Sequence, residues 1–298
     1  MKSLVRGALF LLLGAGIGAA ILYACGGRLR PPAQAKVCSG CPAPSAVPER
    51  ENDAGHATLG PAQPGEWRYR FKEAPQSFED YRTGPLNLKC VHRTTFYLQP
   101  LGDAGTKYRE TLERMRVYAE AFFGVPAKVL DPIPIFEDAY ASKRGQYDAE
   151  TIIDRLSERR PADALVYMGI AEKDLYVPDL NFVFGVGHPG LRCGAYSLTR
   201  YETEEAAVFT RRSLKLLAHE AGHILSIHHC TTYACVMQGA NSLPEDDSHP
   251  MHLCPIDLQK VLWNGGQNRR ERYRTLAALY RDWGLSAEAA WVTDKALR

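Results

Sequence analysis

The stretch HEAGHILSIHHCTTYACVM, residues 219–237, holds four histidines, two cysteines and a methionine. His219 and His223 stand four residues apart, so on a helix both imidazoles project from one face and can share a metal ion. Glu220 lies beside that face, where a carboxylate reaches a metal-held water without being a ligand. The other side of the same helix is apolar, with Leu214, Leu217, Ala218, Ala221, Ile224 and Leu225. That pattern argues for a buried helix rather than a solvated His/Glu face. A catalytic zinc site takes three protein ligands and leaves a position for water. The missing ligand is sought in His228 or His229, both past the expected helix end, and less readily in Glu245 within the loop-like SLPEDDSHP.

Upstream, alternation of strand and helix patterns frames this stretch. CVHRTTFYLQPL, 90–101, predicts a strand ended by Pro100, and AKVL from 127 a second, short one. KYRETLERMRVYAEAFFG, 107–124, sets Leu112, Met115, Tyr118, Ala119 and Phe122 on one stripe and stops at Gly124, which predicts an amphipathic helix. YDAETIIDRLSERR, 147–160, predicts another helix, closed by Pro161. ADALVYMGI, 162–170, is nearly all apolar, as in a strand covered on both faces. LNFVFGVG, 180–187, and CGAYSLTRY, 193–201, predict two more strands. The metal-binding helix should begin near Thr210, and a late helix should run from Asn268 to Trp283 with RRERYR, 269–274, as its wet face. This order fits one α/β domain over residues 66–298, without internal repeats.

The first 25 residues stand apart. Lys2 and Arg6 precede an apolar run that ends in LYAC. This resembles a secretory signal closed by the lipobox of bacterial lipoproteins, with Cys25 as the lipidated residue, although Tyr23 stands where a smaller residue is commoner. Residues 26–65 are rich in Pro, Ala and Gly without a hydrophobic period, and are expected to be a flexible tether. The expected setting is a bacterial cell envelope, with a lipid anchor in the outer membrane. A formal charge of +2 and the lack of a long basic tract argue against nucleic acid as a partner.

With these residues in view, the chain resembles the archaemetzincins, a metzincin family of zinc metallopeptidases. Their pattern HExxHxxGxxH continues with HC, four residues, CxM and a distal CxxC. In this chain it meets His219, Glu220, His223, His229, Cys230, Cys235 and Met237, and Cys254 opens CPIDLQK. FYLQPLG at 96–102, QYDAE at 146–150 and DLYVPDLNFVFG at 174–185 belong to the same resemblance. It implies an α/β (α+β) zincin domain with a mixed twisted sheet and a zinc-binding active-site helix. It implies two zinc ions and hydrolysis of peptide bonds in a peptide or protein substrate. His219, His223 and His229 would bind the catalytic ion, with Glu220 as base and Met237 as the floor beneath. Asn181, Phe182, Val183, Phe184 and Gly185 would be the strand that pairs with substrate. His228 would face solvent or the cleft.

Two positions depart from the family. Ser226 stands where the family turns the chain with glycine, a cost of about 1–2 kcal/mol if φ is positive there. The second, structural zinc would take Cys230, Cys235 and Cys254, but the fourth cysteine is replaced by Asp257, with His249 and His252 also near in sequence. In an oxidising setting two of those thiols would instead form a disulfide. Counting the remainder suggests pairs Cys38–Cys41 and Cys90–Cys193, although sequence does not fix connectivity. Rival readings are a zinc-stabilised peptide-binding envelope protein without catalysis, which has no use for Glu220, and a zinc hydrolase of another substrate.

Overall fold

The computed structural model describes residues 41–178 and 180–297. The N-terminal part of the fold carries α1 (Trp67–Arg70), α2 (Phe78–Thr83), β1 (Thr95–Pro100), α3 (Ala104–Lys107), α4 (Arg109–Phe123) and β2 (Ala127–Val129). The middle carries β3 (Tyr140–Ala141), β4 (Gln146–Asp148), α5 (Ala149–Arg159), β5 (Ala164–Ala171), β6 (Leu175–Tyr176), β7 (Gly185–His188) and β8 (Cys193–Ser197). After these come α6 (Ala206–Ile224), α7 (Leu243–Ser248), α8 (Pro255–Gly265), α9 (Arg269–Asp282) and α10 (Ser286–Leu297). No helix among the described residues is long and apolar enough to cross a membrane.

The main sheet has the order β2-β1-β5-β8-β7, parallel throughout except for β7, which runs antiparallel to β8 at the edge. Period-two alternation sorts its side chains. Phe96 and Leu98 face α4 and α6 in the larger core, whereas Tyr97 faces the α5 side with Ile152, Ile153 and Leu156. Coverage on both faces explains why β5 is buried at every residue and reads as an apolar run. A smaller sheet, β3-β4-β6, flanks it.

The helices α4 and α5 fall within two residues of their expected bounds. α4 ends on Gly124 at φ 70°, and Asp148 caps α5 by accepting from the Glu150 backbone N–H. α6 starts earlier than expected, at Ala206, and α8 and α10 were not foreseen. The strand expected over 180–187 forms only from Gly185, because Val183 turns back to bridge Leu175.

Three expectations about the chain's periphery change. Residues 44–65 are not a free tether: the Trp263 indole donates to Pro44 O at 3.2 Å, Thr58 bridges Tyr233, and Glu51 and His56 are buried. Polar and main-chain contacts hold this segment, which hydrophobic patterning does not register. The disulfide is Cys41–Cys90, and Cys193 is a buried free thiol, so the pairing obtained by counting was wrong. The RRERYR face is only partly wet, since Arg272 is buried and donates to Phe122 O, and Tyr273 donates to Glu51. Cys25, Cys38 and the apolar run before them lie outside the described residues.

Candidate active site and metal centres

α6 ends in a turn that decides where the third histidine goes. The Ser226 N–H donates to His223 O and the Ile227 N–H to Gly222 O, both within 2.9 Å, which is a Schellman closure with Ser226 at the left-handed position. Ser226 has φ 71°, the left-handed region that favours the glycine it stands in for. Its hydroxyl accepts from the Asn87 N–H at 3.2 Å, and Asn87 Nδ2 donates to the helix-terminal carbonyl of Ile224 at 3.1 Å. These contacts offset part of the strain of a side chain at positive φ.

The turn brings His229 to His219 and His223, and one nitrogen from each ring falls within 4.8 Å of the others. Each ring is held through its other nitrogen. His219 Nδ1 donates to Val236 O at 2.9 Å, His223 Nδ1 to Ile227 O at 2.8 Å, and His229 Nδ1 to the Glu73 carboxylate at 2.9 Å. Carbonyl oxygens only accept, so the Nδ1 atoms of His219 and His223 carry the protons and their Nε2 atoms carry lone pairs. Those two Nε2 atoms face each other at 3.0 Å. Two lone pairs at that distance repel, and a cation between them turns the repulsion into ligation. Burial, with the neighbouring histidines, pushes His219 down to about 3 and His223 well below its usual range, so both rings are neutral, as ligands must be. The residues fit a zinc ion.

Glu220 sits beside this cluster, buried under the edge of the sheet. A Cβ on Gly185 would come within 2.8 Å of Glu220 Cγ, and one on Gly187 within 2.5 Å of Glu220 O. The two glycines of β7 therefore let the edge strand lie directly on the active-site helix. Burial and the charge of Asp246 raise the Glu220 carboxyl to about 8, against a hydrogen bond from the Gly187 backbone. A cation at the histidines opposes that rise. Beneath α6, a Cβ on Gly222 would lie 2.4 Å from Met237 Sδ, so Met237 is the floor. The cleft above has a volume of about 480 Å³, and its walls include Trp67, Arg70, Phe182, Phe184, Tyr201 and Asn241.

Cys230, Cys235, Cys254 and Asp257 form a second cluster, all four buried and also within 4.8 Å. Cys230 Sγ and Cys254 Sγ are 3.8 Å apart, and Asp257 Oδ2 lies 3.3 Å from Cys235 Sγ and 3.4 Å from Cys254 Sγ. A tetrahedral zinc with Zn–S near 2.3 Å requires sulfurs about 3.8 Å apart. A disulfide requires about 2.05 Å, and all three thiols are free. This cluster too fits zinc, and Asp257 is its fourth member. His252 is instead stacked on Trp291, with ring centroids 3.7 Å apart. His249 is not in the cluster.

Some expected residues stand elsewhere. His228 does not line the cleft: its Nε2 is buried and its backbone N–H donates to Gln76 Oε1 at 3.1 Å. Glu245 accepts from the backbone N–H groups of Trp67 and Asn241, both at 2.7 Å, and does not reach the histidines. Asn181, Phe182, Val183 and Phe184 line the cleft ahead of the strand, and only Gly185 of that group lies in β7. Sequence reasoning missed Glu73 altogether, because no spacing relates it to a histidine 156 residues away.

The family model of peptidase family M54 matches residues 107–261. Mouse archaemetzincin-2 is 32% identical over 258 residues, 71% of each chain. The archaemetzincin of Pyrococcus furiosus is 36% identical over 148 residues, 47% of this chain and 77% of that one. The crystal structure of archaemetzincin from Methanopyrus kandleri superposes with a TM-score of 0.54 at 26% identity, covering 60% of this chain and 99% of that one. These relatives overturn the expected bacterial envelope setting, since they are archaemetzincins of a mammal and of archaea. A charged start, an apolar run and a cysteine are short, degenerate features, and here they outweighed the catalytic motif. Fold, histidine cluster and relatives agree on one identity: the chain belongs to the archaemetzincins, peptidase family M54, and is a zinc-dependent peptidase with a metzincin-like α/β domain.

Proposed function

We propose that His219, His223 and His229 hold the catalytic zinc, that Glu220 manages the proton, and that Cys230, Cys235, Cys254 and Asp257 hold a second, structural ion. The convergence of one nitrogen from each of His219, His223 and His229 within 4.8 Å carries this reading, because three imidazoles so placed match the ligand set of a catalytic zinc. When bound, zinc supplies Lewis acidity toward the scissile carbonyl and a water. Glu220 accepts the proton released as water attacks and returns it to the departing amine. Its burial under Gly185 keeps bulk water from the carboxylate and fixes its direction.

Substrate recognition falls to the edge of the sheet. β7 pairs with β8 on one side only, and Gly185–Gly187 line the cleft on the other. An extended peptide laid there would gain main-chain hydrogen bonds with little demand on its sequence. Asn181 to Phe184 then shape the wall at the strand's start rather than pairing.

Glu220→Gln tests the assignment: it keeps size and hydrogen bonding, so zinc content should hold while peptide hydrolysis falls by roughly 10²–10⁴. His229→Ala should lose zinc and activity together, whereas His228→Ala should keep its metal. Zinc lost from His228→Ala but kept by His229→Ala would put the third ligand at the wrong residue.

A further inference from the structure

The three histidines are not anchored alike. His219 and His223 donate to main-chain carbonyls, Val236 O and Ile227 O. His229 donates to a carboxylate: its Nδ1 lies 2.9 Å from both oxygens of Glu73. The pair is largely shielded, with side-chain exposures of 14% for His229 and 22% for Glu73. Glu73 is itself held. The Trp67 indole N–H donates to its Oε2 at 3.1 Å, and the Trp67 ring stands edge-on to His229 with centroids 5.2 Å apart. Trp67 is fixed in turn by its backbone N–H on Glu245 and by close packing on Gly239, where a Cβ would lie 2.5 Å from the indole. Three residues later, Gln76 Nε2 donates to Ser226 O at 3.1 Å, at the turn that carries the chain to His229.

Resting on His229 as the third ligand, we infer that Glu73 is a positioning residue of the catalytic metal centre. It fixes the tautomer and plane of the His229 ring and raises the basicity of its Nε2. Residues 67–76, which lie before the matched 107–261, are thereby part of the site rather than an appendage. The physical ground is general. A histidine ligand that donates its second nitrogen to an oxygen is held in one tautomer, and an ionised acceptor donates more electron density than a carbonyl does. His229 needs this most. His219 and His223 are rooted in a rigid helix, whereas His229 follows a turn through a strained Ser226 and has no helix to aim it.

Zinc affinity of the purified chain, measured by competition with a chromophoric chelator, is the readout. Glu73→Ala should bind the catalytic zinc about 10- to 100-fold more weakly. Glu73→Gln retains an acceptor oxygen without the charge, and should fall between Glu73→Ala and the wild type. The d–d absorption bands of the cobalt-loaded chain should shift in both variants as the His229 ring relaxes. If Glu73→Ala does not fold, Glu73→Gln carries the test. Wild-type affinity with unchanged cobalt bands in a folded Glu73 variant overturns the inference. The underlying reading fails separately: His229→Ala retaining its zinc would remove the ligand itself, whereas loss of zinc there beside unaffected Glu73 variants would remove Glu73 alone.

Discussion

The histidine cluster and the cysteine cluster interleave in sequence but differ in almost every physical respect. The first opens on a cleft of about 480 Å³. The second is buried at all four residues and complete in itself. They meet in one turn. Cys235 belongs to the closed set, Val236 O accepts from His219, and Met237 packs under Gly222. A second connection runs through Lys260, which is 1% exposed. It donates to Asp257 Oδ1 at 2.7 Å and to Gln76, and Gln76 in turn holds the Ser226–His228 turn. The closed cluster therefore builds the floor and one wall of the open one. The reacting groups border a cleft, and the cluster that fixes their geometry is sealed.

Chelation should separate the two most sharply. Dialysis against a chelator should abolish peptidase activity while the second ion and the far-ultraviolet circular dichroism persist, because a closed thiolate site releases metal slowly. Metal analysis showing both ions leaving together, with the fold, would erase the distinction. Next in size is Cys254→Ser. Cys254 caps α8 by accepting from the Asp257 N–H, a role serine performs well, so the substitution isolates the loss of a metal ligand. Metal content should drop from two to one. Unfolding free energy should fall, since the contribution of metal binding at this site to folding is lost. A variant that keeps both ions would show that the ligand is elsewhere.

Gly222→Ala probes the shared floor. Its new methyl would press on Met237 Sδ from 2.4 Å. Methionine yields readily, so a cost of about 1–3 kcal/mol in a denaturant titration is expected, with zinc retained but activity reduced. Unchanged activity would mean that the floor does not aim the histidines. The smallest effect belongs to Ser226→Gly. Relief of left-handed strain, about 1–2 kcal/mol, is set against loss of the bond from Asn87, about 1 kcal/mol. Stability should move by no more than about 1 kcal/mol, with zinc content unchanged, and a larger loss would show that the hydroxyl outweighs the backbone.

The central elements were legible because their residues carry a period. The stripe of Leu112, Met115, Tyr118 and Phe122 gave α4, and the apolar run at 162–170 gave the central strand that forms over Ala164–Ala171. The ligand residues were legible for a different reason: metal chemistry admits few residue types and few spacings. Ser226 illustrates the gain from reading both together, since its positive φ meets the condition raised by the glycine it replaces. α8 went unseen because its start at Cys254 served the metal reading and its pattern was not tested for a helix. Residues 44–65 were misjudged because their attachment is made by backbone carbonyls and buried polar side chains. Glu73 was invisible for want of any local relation to His229.

That attachment bears on how the enzyme comes to be assembled. Trp263 reaches Pro44 across 219 residues, Tyr273 reaches Glu51 across 222, Trp291 reaches Gly55 across 236 and Lys295 reaches Ala54 across 241. Contacts so distant in sequence are slow to form and close late. During synthesis the histidines of α6 leave the ribosome before α9 and α10, so Glu51, Ala54 and Gly55 lack their partners on those helices until the end of the chain emerges. Those contacts of the early segment therefore close last. The clasp of the N-terminal segment is thus completed only when the C-terminal helices are in place.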